Sequence, residues 1–229
     1  MTPIQRLSTI LDILRKECPW DRAQTLESIR YLTIEEVYEL SDAIINLSDS
    51  DPSTSESLKK ELGDILMHVL FYSKISEDRQ LFSFDDVCNA VSDKLVQRHP
   101  HIALPLRDGT MRPPTTATHP GWEQVKMKEG RKSVLEGVPS QLPSLVKSVR
   151  LQEKAEGIGF QVVNNDELRG EKSDQSPQSS DLMTDAGDRL FDLVREIREQ
   201  GINPDEALTR ANNRFMDAVQ EWERQRSKA

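Results

Sequence analysis

Two acidic motifs, Glu35-Glu36-x-x-Glu39 and Glu61-x-x-Asp64, flank one short polar segment of the chain. Residues three apart on a helix are neighbours, with Cβ atoms about 5–6 Å apart, so each motif can present two carboxylates on one helix face. The segment between the motifs, residues 48–57, is rich in serine and aspartate and contains Pro52, as is typical of a turn between helices. We therefore predict an antiparallel helical hairpin at this point of the chain.

The register of this hairpin predicts which acids face one another. If the turn is centred near residue 50, residues whose numbers sum to 100 lie at the same level, so Glu36 faces Asp64 and Glu39 faces Glu61. Packed helices lie about 8–10 Å apart, which would bring the four carboxylates into one small volume. Because like charges raise one another's pKa and loss of water adds to that cost, such a group requires a counter-charge. We predict a site for a hard divalent cation, Mg²⁺, with Mn²⁺ as an alternative ion.

Acids at helical spacing more often form a solvated helix face than a metal site. The residues beside the acids help to decide between these two interpretations. Gly63, between Glu61 and Asp64, is expected to let the helices approach closely, at a cost of about 1 kcal/mol in helix propensity. An amphipathic pattern places the acids at the margin of a core, which favours the metal site. Its apolar residues are Val37, Leu40, Ile44 and Ile45 in the first helix and Leu58, Leu62, Ile65, Leu66, Val69 and Leu70 in the second.

Composition excludes several classes of function. The 229-residue chain has a net charge of −9 and no basic stripe, so we do not expect it to bind duplex nucleic acid. No apolar run has the length of a membrane span, and the chain starts with an amphipathic pattern rather than an apolar leader. We expect a cytoplasmic protein that does not act at a membrane. Cys18 and Cys88 are too few for a disulfide framework and are expected to be free thiols.

Apolar residues recur with the period of a helix along almost the whole chain, which predicts an all-α helical bundle. Extended loop structure is expected from Pro105 to Thr118, and a polar stretch from Asn164 to Ser180 has too little apolar surface to fold alone. The helices are predicted over residues 3–16, 25–47, 56–78, 84–98, 120–130, 142–157, 183–200 and 204–226.

An internal repeat predicts a duplicated helical unit. Gly63-Asp64-Ile65-Leu66 returns as Gly187-Asp188-Arg189-Leu190, and the segment that follows is also echoed, but Asp185 replaces Glu61 and the second copy has no counterpart of the first acidic motif. The second copy is therefore degenerate. The predicted organisation is a catalytic helical domain over 1–135, a connecting helix over 136–163, a flexible polar linker over 164–182 and the degenerate second unit over 183–229.

A series of ordered motifs resembles the MazG family of nucleoside triphosphate pyrophosphohydrolases. Besides the acidic motifs, the resemblance rests on Cys18-Pro-Trp-Asp21, Asp93-Lys-Leu95, Arg98-His-Pro-His101, Trp122-x-x-x-Lys126, Ser133-Val-Leu-Glu-Gly-Val-Pro139 and Leu151-Gln-Glu-Lys-Ala155. It implies an all-α fold with MazG-like units, a homodimer, and Mg²⁺-dependent hydrolysis of nucleoside triphosphates to monophosphate and pyrophosphate. A metal-activated water would attack the α-phosphorus, and the activity would clean or regulate nucleotide pools.

The resemblance also implies roles for individual residues. Glu36, Glu39, Glu61 and Asp64 match the family's metal ligands, and Glu35 is an outer partner or a general base, a choice the sequence leaves open. Lys94, Arg98, Trp122 and Lys126 match positions that contact the substrate. Trp20 is expected to pack in the first loop, His99 and His101 to serve the end of a helix, and His68 not to bind Mg²⁺, which prefers oxygen.

One competing hypothesis comes from another class of protein. The chain could be a nucleotide sensor or a helical dimerisation module that binds a triphosphate without hydrolysing it, and the sequence does not separate this from an enzyme. A ferritin-like di-iron bundle is disfavoured, because neither hairpin helix carries a histidine three residues after an acid.

Overall fold

The computed structural model describes residues 1–115, 130, 133–160 and 182–226. The chain divides into two compact units, Met1–Thr115 and Thr116–Ala229, so the first unit ends before the domain boundary predicted at residue 135. The first unit contains α1 (Pro3–Glu17), α2 (Pro19–Ala23), α3 (Leu26–Ile45), α4 (Pro52–Asp78), α5 (Phe84–Arg98), β1 (Leu104–Pro105) and β2 (Met111–Arg112). The second unit contains α6 (Ser144–Glu156), α7 (Leu182–Glu199) and α8 (Pro204–Arg226) among its described residues. The prediction of an all-α fold is confirmed, and no helix of the described parts is long and apolar enough to cross a membrane.

Most helix boundaries agree with the predicted ones, but one helix begins earlier than predicted and one short helix was not predicted. α4 begins at Pro52 rather than at residue 56, because the Asp51 side chain accepts a hydrogen bond from the Ser53 amide and Pro52 fits the first helical position. The short helix α2 was not predicted, since five residues are too few to show a helical period. The predicted helix over 120–130 and the predicted linker fall almost entirely outside the described residues.

The loop predicted to run from Pro105 contains a small β-hairpin, so that part of the prediction is wrong. Leu104 pairs with Arg112 and Pro105 with Met111 in an antiparallel ladder. The turn between the strands depends on Gly109, whose φ of +80° is accessible to glycine at little cost. An Asp-Gly pair is a strong hairpin signal, but strands of two residues carry no readable alternation.

Helices α3 and α4 form the predicted antiparallel hairpin. Thr25 caps the start of α3 by accepting a hydrogen bond from the Ser28 amide. In the turn, the Ser48 amide donates to the Thr54 hydroxyl oxygen at 3.1 Å, which ties the end of α3 to the start of α4. This fixed turn sets the register in which the acids of the two helices meet.

The apolar core of the first unit lies at the end of the hairpin away from the turn. Its buried members are Leu11 of α1, Ile29 of α3 and Leu70, Phe71 and Ile75 of α4. Partly buried side chains packed against them include Leu7, Leu26, Met67, Tyr72 and Phe84. The acidic motifs therefore lie between this core and the turn.

Several residues of the predicted apolar stripes are exposed, and that part of the prediction is wrong. Leu62, Leu66 and Val69 of α4 are 52%, 41% and 38% exposed, and Val37 and Ile44 of α3 are 51% and 56% exposed. The stripes are wider than the face of each helix that its neighbour covers in one chain, so several apolar side chains of the hairpin remain exposed.

The second unit has its own buried residues. Val134 and Val194 are buried, and the Lys154 ammonium donates to the Val134 carbonyl at 2.9 Å. Gln152 of α6 donates to the Phe191 carbonyl of α7 at 2.9 Å, which joins these two helices. The duplication predicted from the sequence stays a prediction.

Candidate metal centre

Three of the four predicted metal ligands come together on the facing sides of α3 and α4. Glu36, Glu39 and Glu61 each offer a carboxylate oxygen, and these oxygens lie within 4.8 Å of one another. On an octahedral Mg²⁺ with Mg–O distances of about 2.1 Å, adjacent oxygens are about 3 Å apart and opposite oxygens about 4.2 Å apart. The three carboxylates therefore have to draw closer together to share one ion.

Asp64 and Glu35 border this group. Both acids contribute to raising the pKa of Glu36 through their charge, so each lies within electrostatic reach of it. Asp64 is half-buried and sits one turn beyond Glu61 on α4, whereas Glu35 is exposed on α3. Asp64 thus lies beside the group but outside the set of acids whose oxygens are all within 4.8 Å of one another, and Glu35 lies at the rim of the group.

Glu36 and Glu39 hold protons more tightly than isolated carboxyls do, because the pKa of each is raised. Partial loss of hydration raises the pKa of Glu36, and the charges of Asp64, Glu39 and Glu61 raise it further. Partial loss of hydration also raises the pKa of Glu39, and the charge of Glu61 raises it further. Ionising the group is therefore unfavourable without a cation, as expected for carboxylates that share a site.

The chemistry of the donors fits a hard divalent cation. All the donors are carboxylate oxygens, which Mg²⁺ and Mn²⁺ prefer to nitrogen or sulfur. Glu36 and Glu61 are half-buried and Glu39 is exposed, so an ion held here would still have coordination positions open to water and to phosphate oxygens.

A second polar cluster lies one helical turn from the acids and was not predicted. The Thr33 hydroxyl of α3 lies 2.7 Å from His68 Nδ1 and 2.6 Å from the Tyr72 hydroxyl, both on α4. It also donates to the Ile29 carbonyl at 3.1 Å. The numbers of Thr33 and His68 sum to 101, one more than the sum of 100 used for the acids, so the two residues lie at nearly the same level of the hairpin. Burial lowers the pKa of His68, which favours its neutral form.

Two of the four predicted substrate-contacting residues are described. Lys94 is exposed and Arg98 is half-buried, both on α5, which packs against α4. The end of α5 is held by Arg112 of β2, whose guanidinium donates to the Val96 carbonyl and to the His99 carbonyl, the latter at 2.6 Å. Trp122 and Lys126 lie outside the described residues.

Other residues singled out in the sequence have local roles. His99 ends α5 and its Nδ1 lies 2.8 Å from the Leu95 carbonyl, so the expected role at a helix end is confirmed. Cys18 and Cys88 are free, as predicted. Trp20 is 58% exposed, so its predicted packing in the first loop is wrong. In the second unit, Asp185 and Asp188 are not part of a described group of acids close enough to share an ion.

Comparison with known proteins places the acids inside a recognised domain. Residues 24–103 match the family model of the MazG nucleotide pyrophosphohydrolase domain, a range that includes α3, α4 and α5. The chain is 34% identical to a nucleoside triphosphate pyrophosphohydrolase of Escherichia coli (strain K12) over 242 aligned residues, covering 98% of this chain and 88% of the relative. It is 32% identical to the nucleoside triphosphate pyrophosphohydrolase/pyrophosphatase MazG of Thermotoga maritima, covering 96% of this chain and 85% of that protein.

Proposed function

The chain belongs to the MazG family of nucleotide pyrophosphohydrolases, and we propose that it hydrolyses nucleoside triphosphates to nucleoside monophosphate and pyrophosphate with Mg²⁺. The observation that carries the proposal is the group of Glu36, Glu39 and Glu61, with Asp64 beside it, on two facing helices. A triphosphate brings several negative charges to an acidic protein, so a cation between protein and phosphates is required. The biological role is the cleaning or regulation of nucleotide pools.

The proposed roles of the residues follow from their positions. Glu36, Glu39, Glu61 and Asp64 would hold the metal, and Glu35 at the rim would orient a ligand or accept a proton from the attacking water. Mg²⁺ bound here would lower the pKa of water, orient the triphosphate and neutralise charge on the leaving pyrophosphate. Lys94, Arg98 and Lys126 would contact the phosphates, and Trp122 would stack on the base.

Product analysis tests the reaction. The protein is incubated with Mg²⁺ and a panel of canonical and damaged nucleoside triphosphates, and the products are identified by mass spectrometry. Monophosphate with pyrophosphate supports the proposal, whereas diphosphate with orthophosphate contradicts it. Repeating the reaction in ¹⁸O-labelled water tests the site of attack: label in the monophosphate supports attack at the α-phosphorus, and label in the pyrophosphate contradicts it.

A matched pair of substitutions tests which unit is catalytic. Asp64 and Asp188 occupy corresponding positions in the two copies of the repeat. We expect Asp64→Asn to remove most pyrophosphate release and Asp188→Asn to leave it unchanged, because Asp188 belongs to no described group of three acids whose oxygens are close enough to share an ion. Loss of activity in the Asp188→Asn variant would instead assign catalysis to the second unit.

The alternative is a nucleotide sensor or a helical dimerisation module without turnover. The raised pKa values of Glu36 and Glu39 argue against a module that only dimerises, because such a module has no use for acids that repel one another. They do not separate an enzyme from a sensor, since both would bind a metal ion at these acids. A protein that binds Mg²⁺ and a triphosphate but releases no pyrophosphate from any member of the panel would support the sensor.

The proposal includes a homodimer. It is supported by the exposed apolar surface of the hairpin, which includes Tyr31, Ile34 and Tyr38 of α3 at 72%, 44% and 57% exposure. Contiguous exposed apolar residues are typical of protein interfaces. Analytical ultracentrifugation of the wild type and of Tyr38→Lys tests this: a dimer that becomes a monomer supports the proposal, and a wild-type monomer contradicts it.

A further inference from the structure

The middle of α3, where the acids lie, is not fixed by buried apolar packing. The buried residues of this helix are Ile29 near its start and Ala43 near its end. Glu36 and Glu39 lie between them, and the like charges of the facing acids tend to push the two helices apart. Hydrogen bonds between α3 and α4 at this level can therefore add to the partly buried packing that sets the spacing of the two helices.

The hydrogen bonds of Thr33 cross between the two helices at this point. Thr33 lies three residues before Glu36 on α3, and His68 lies four residues after Asp64 on α4, so both are one turn from the acids. Tyr72 follows His68 by one more turn and packs against the core. The cluster of Thr33, His68 and Tyr72, here called the Thr33 cluster, thus lies between the apolar core and the metal centre.

The hydrogen bonding of this cluster can be assigned completely. A hydroxyl group has one proton to donate and two lone pairs that accept. The Ile29 carbonyl can only accept, so it receives the Thr33 proton. The Thr33 oxygen then accepts from His68 Nδ1–H and from the Tyr72 hydroxyl. In this arrangement the proton and both lone pairs of the Thr33 hydroxyl are used, and His68 carries its proton on Nδ1. The His68 side chain is 6% exposed.

We propose that Thr33, His68 and Tyr72 are positioning residues that hold α3 and α4 at the spacing in which the acids bind a divalent cation. The inference rests on the proposed function, because it assigns these residues a role in the same metal centre. Outer partners that orient metal ligands typically change metal affinity by about 10- to 100-fold when they are removed. The Thr33 cluster would act in this way through the helices rather than by contact with the ion.

Isosteric substitutions separate this role from simple packing. Thr33→Val keeps the shape of the side chain and removes the hydroxyl, whereas Thr33→Ser keeps the hydroxyl. Binding of Mn²⁺ alone to the full-length protein is measured by electron paramagnetic resonance, below the melting temperature of each variant. We expect Thr33→Val to raise the dissociation constant about tenfold or more, and Thr33→Ser to restore it to within about twofold of the wild type.

Two substitutions of His68 test its hydrogen bond to Thr33, and a substitution in the apolar core controls for general loss of stability. The amide nitrogen of asparagine lies near the position of His68 Nδ1, so His68→Asn should bind Mn²⁺ more tightly than His68→Leu. Ile75→Val, in the buried core of α4, should lower the melting temperature without changing Mn²⁺ affinity.

The outcomes distinguish this inference from the proposed function. If Glu39→Gln weakens Mn²⁺ binding and Thr33→Val does not, the metal centre stands and the positioning role is overturned. The same conclusion follows if Ile75→Val weakens binding as much as Thr33→Val, since general destabilisation would then explain both. If the wild type does not bind Mn²⁺, or if Glu39→Gln binds it as tightly as the wild type does, the metal centre fails and the inference with it.

Discussion

Glu39 of α3 and Glu61 of α4 hold carboxylate oxygens within 4.8 Å of each other from two different helices. Two ionised carboxylates at this distance repel, and the pKa of Glu39 is raised, first by loss of hydration and then by the charge of Glu61. The fold therefore maintains an arrangement that is unfavourable without a cation. Acids whose mutual repulsion lowers the stability of the metal-free protein are expected at a metal-binding site.

Replacing one of these acids should reduce activity without reducing stability. We expect Glu39→Gln and Glu61→Gln each to lower kcat by more than about 100-fold, because the amide is a poorer ligand for Mg²⁺. In metal-free buffer the melting temperature of each variant should equal or exceed that of the wild type, because one repelling charge is removed. Steady-state kinetics and thermal melts followed by circular dichroism measure both effects.

Glu56 provides a matched control on the same helix. It is exposed and paired with Lys59, whose hydrogen bond and charge hold the pKa of Glu56 below its ordinary value. Glu56→Gln should leave activity unchanged and should not raise the melting temperature. A loss of activity comparable to that of Glu39→Gln would mean that acidic charge in general, and not the facing acids, supports the reaction.

The pH dependence of stability follows from the raised pKa values of Glu36 and Glu39. Their ordinary value is 4.5, and in the folded protein both hold protons to higher pH. The folded state then binds more protons than the unfolded state above pH 4.5, so the stability from these groups is present below that pH and is lost as the pH rises through their folded pKa values.

Mg²⁺ should reverse this loss, because it binds the ionised carboxylates. We expect the increase in melting temperature on adding Mg²⁺ to be larger at about pH 7.5 than at about pH 5. The difference should disappear in the double variant Glu36→Gln/Glu39→Gln. Equal increases at the two pH values in the wild type would contradict a binding site made of these acids.

Gly63, between Glu61 and Asp64, should tolerate a side chain. The sequence suggested that this glycine allows close approach of the helices, but a Cβ added there would meet no atom within 4 Å, so that interpretation is wrong. Gly63→Ala should raise the free energy of unfolding by about 0.5–1 kcal/mol through helix propensity. Gly109→Ala is the control: a Cβ there also meets nothing within 4 Å, but φ is +80°, so it should lower the free energy of unfolding by about 1 kcal/mol. Urea denaturation measures both, and destabilisation by Gly63→Ala would indicate that another surface packs on this position.

Lys94 and Arg98 should contribute to binding the phosphates. A hydrogen bond between charged groups contributes about 1.5–3 kcal/mol, so we expect Lys94→Ala and Arg98→Ala each to lower kcat/KM roughly 10- to 100-fold. Mn²⁺ binding in the absence of nucleotide should not change. Lys59→Ala, which removes an exposed cation from α4, should retain wild-type kinetics. Wild-type kinetics in the Lys94→Ala and Arg98→Ala variants would exclude both residues from the substrate site.

The sequence predicted the parts of the fold that depend on a repeating pattern. The helical period identified α3, and the hairpin register brought Glu39 opposite Glu61. The β-hairpin was missed because its pairing is fixed by the turn at Gly109 and not by a strand pattern. The exposure of Leu62 could not be predicted, because an apolar stripe does not reveal which of its residues a neighbouring helix covers.

The acids of the candidate site were predicted from the spacing within each helix and from the register of the hairpin, but the residues around them were not. Spacing of three residues identified the acids, since neighbours on one helix follow from the sequence alone. The Thr33 cluster was missed because it combines one residue of α3 with two of α4, and no motif spans them. His68 was judged only as a metal ligand, whereas its buried ring bonds to Thr33.

A crystal of the protein soaked in Mn²⁺ gives the most direct test of the metal centre, through its anomalous difference map. The account predicts a peak between α3 and α4, with oxygens of Glu36, Glu39, Glu61 and Asp64 at about 2 Å from the ion. A Glu39→Gln crystal soaked in the same solution should show a weaker peak or none. Strong peaks elsewhere on the chain, with these four side chains directed into solvent and away from one another, would contradict the account.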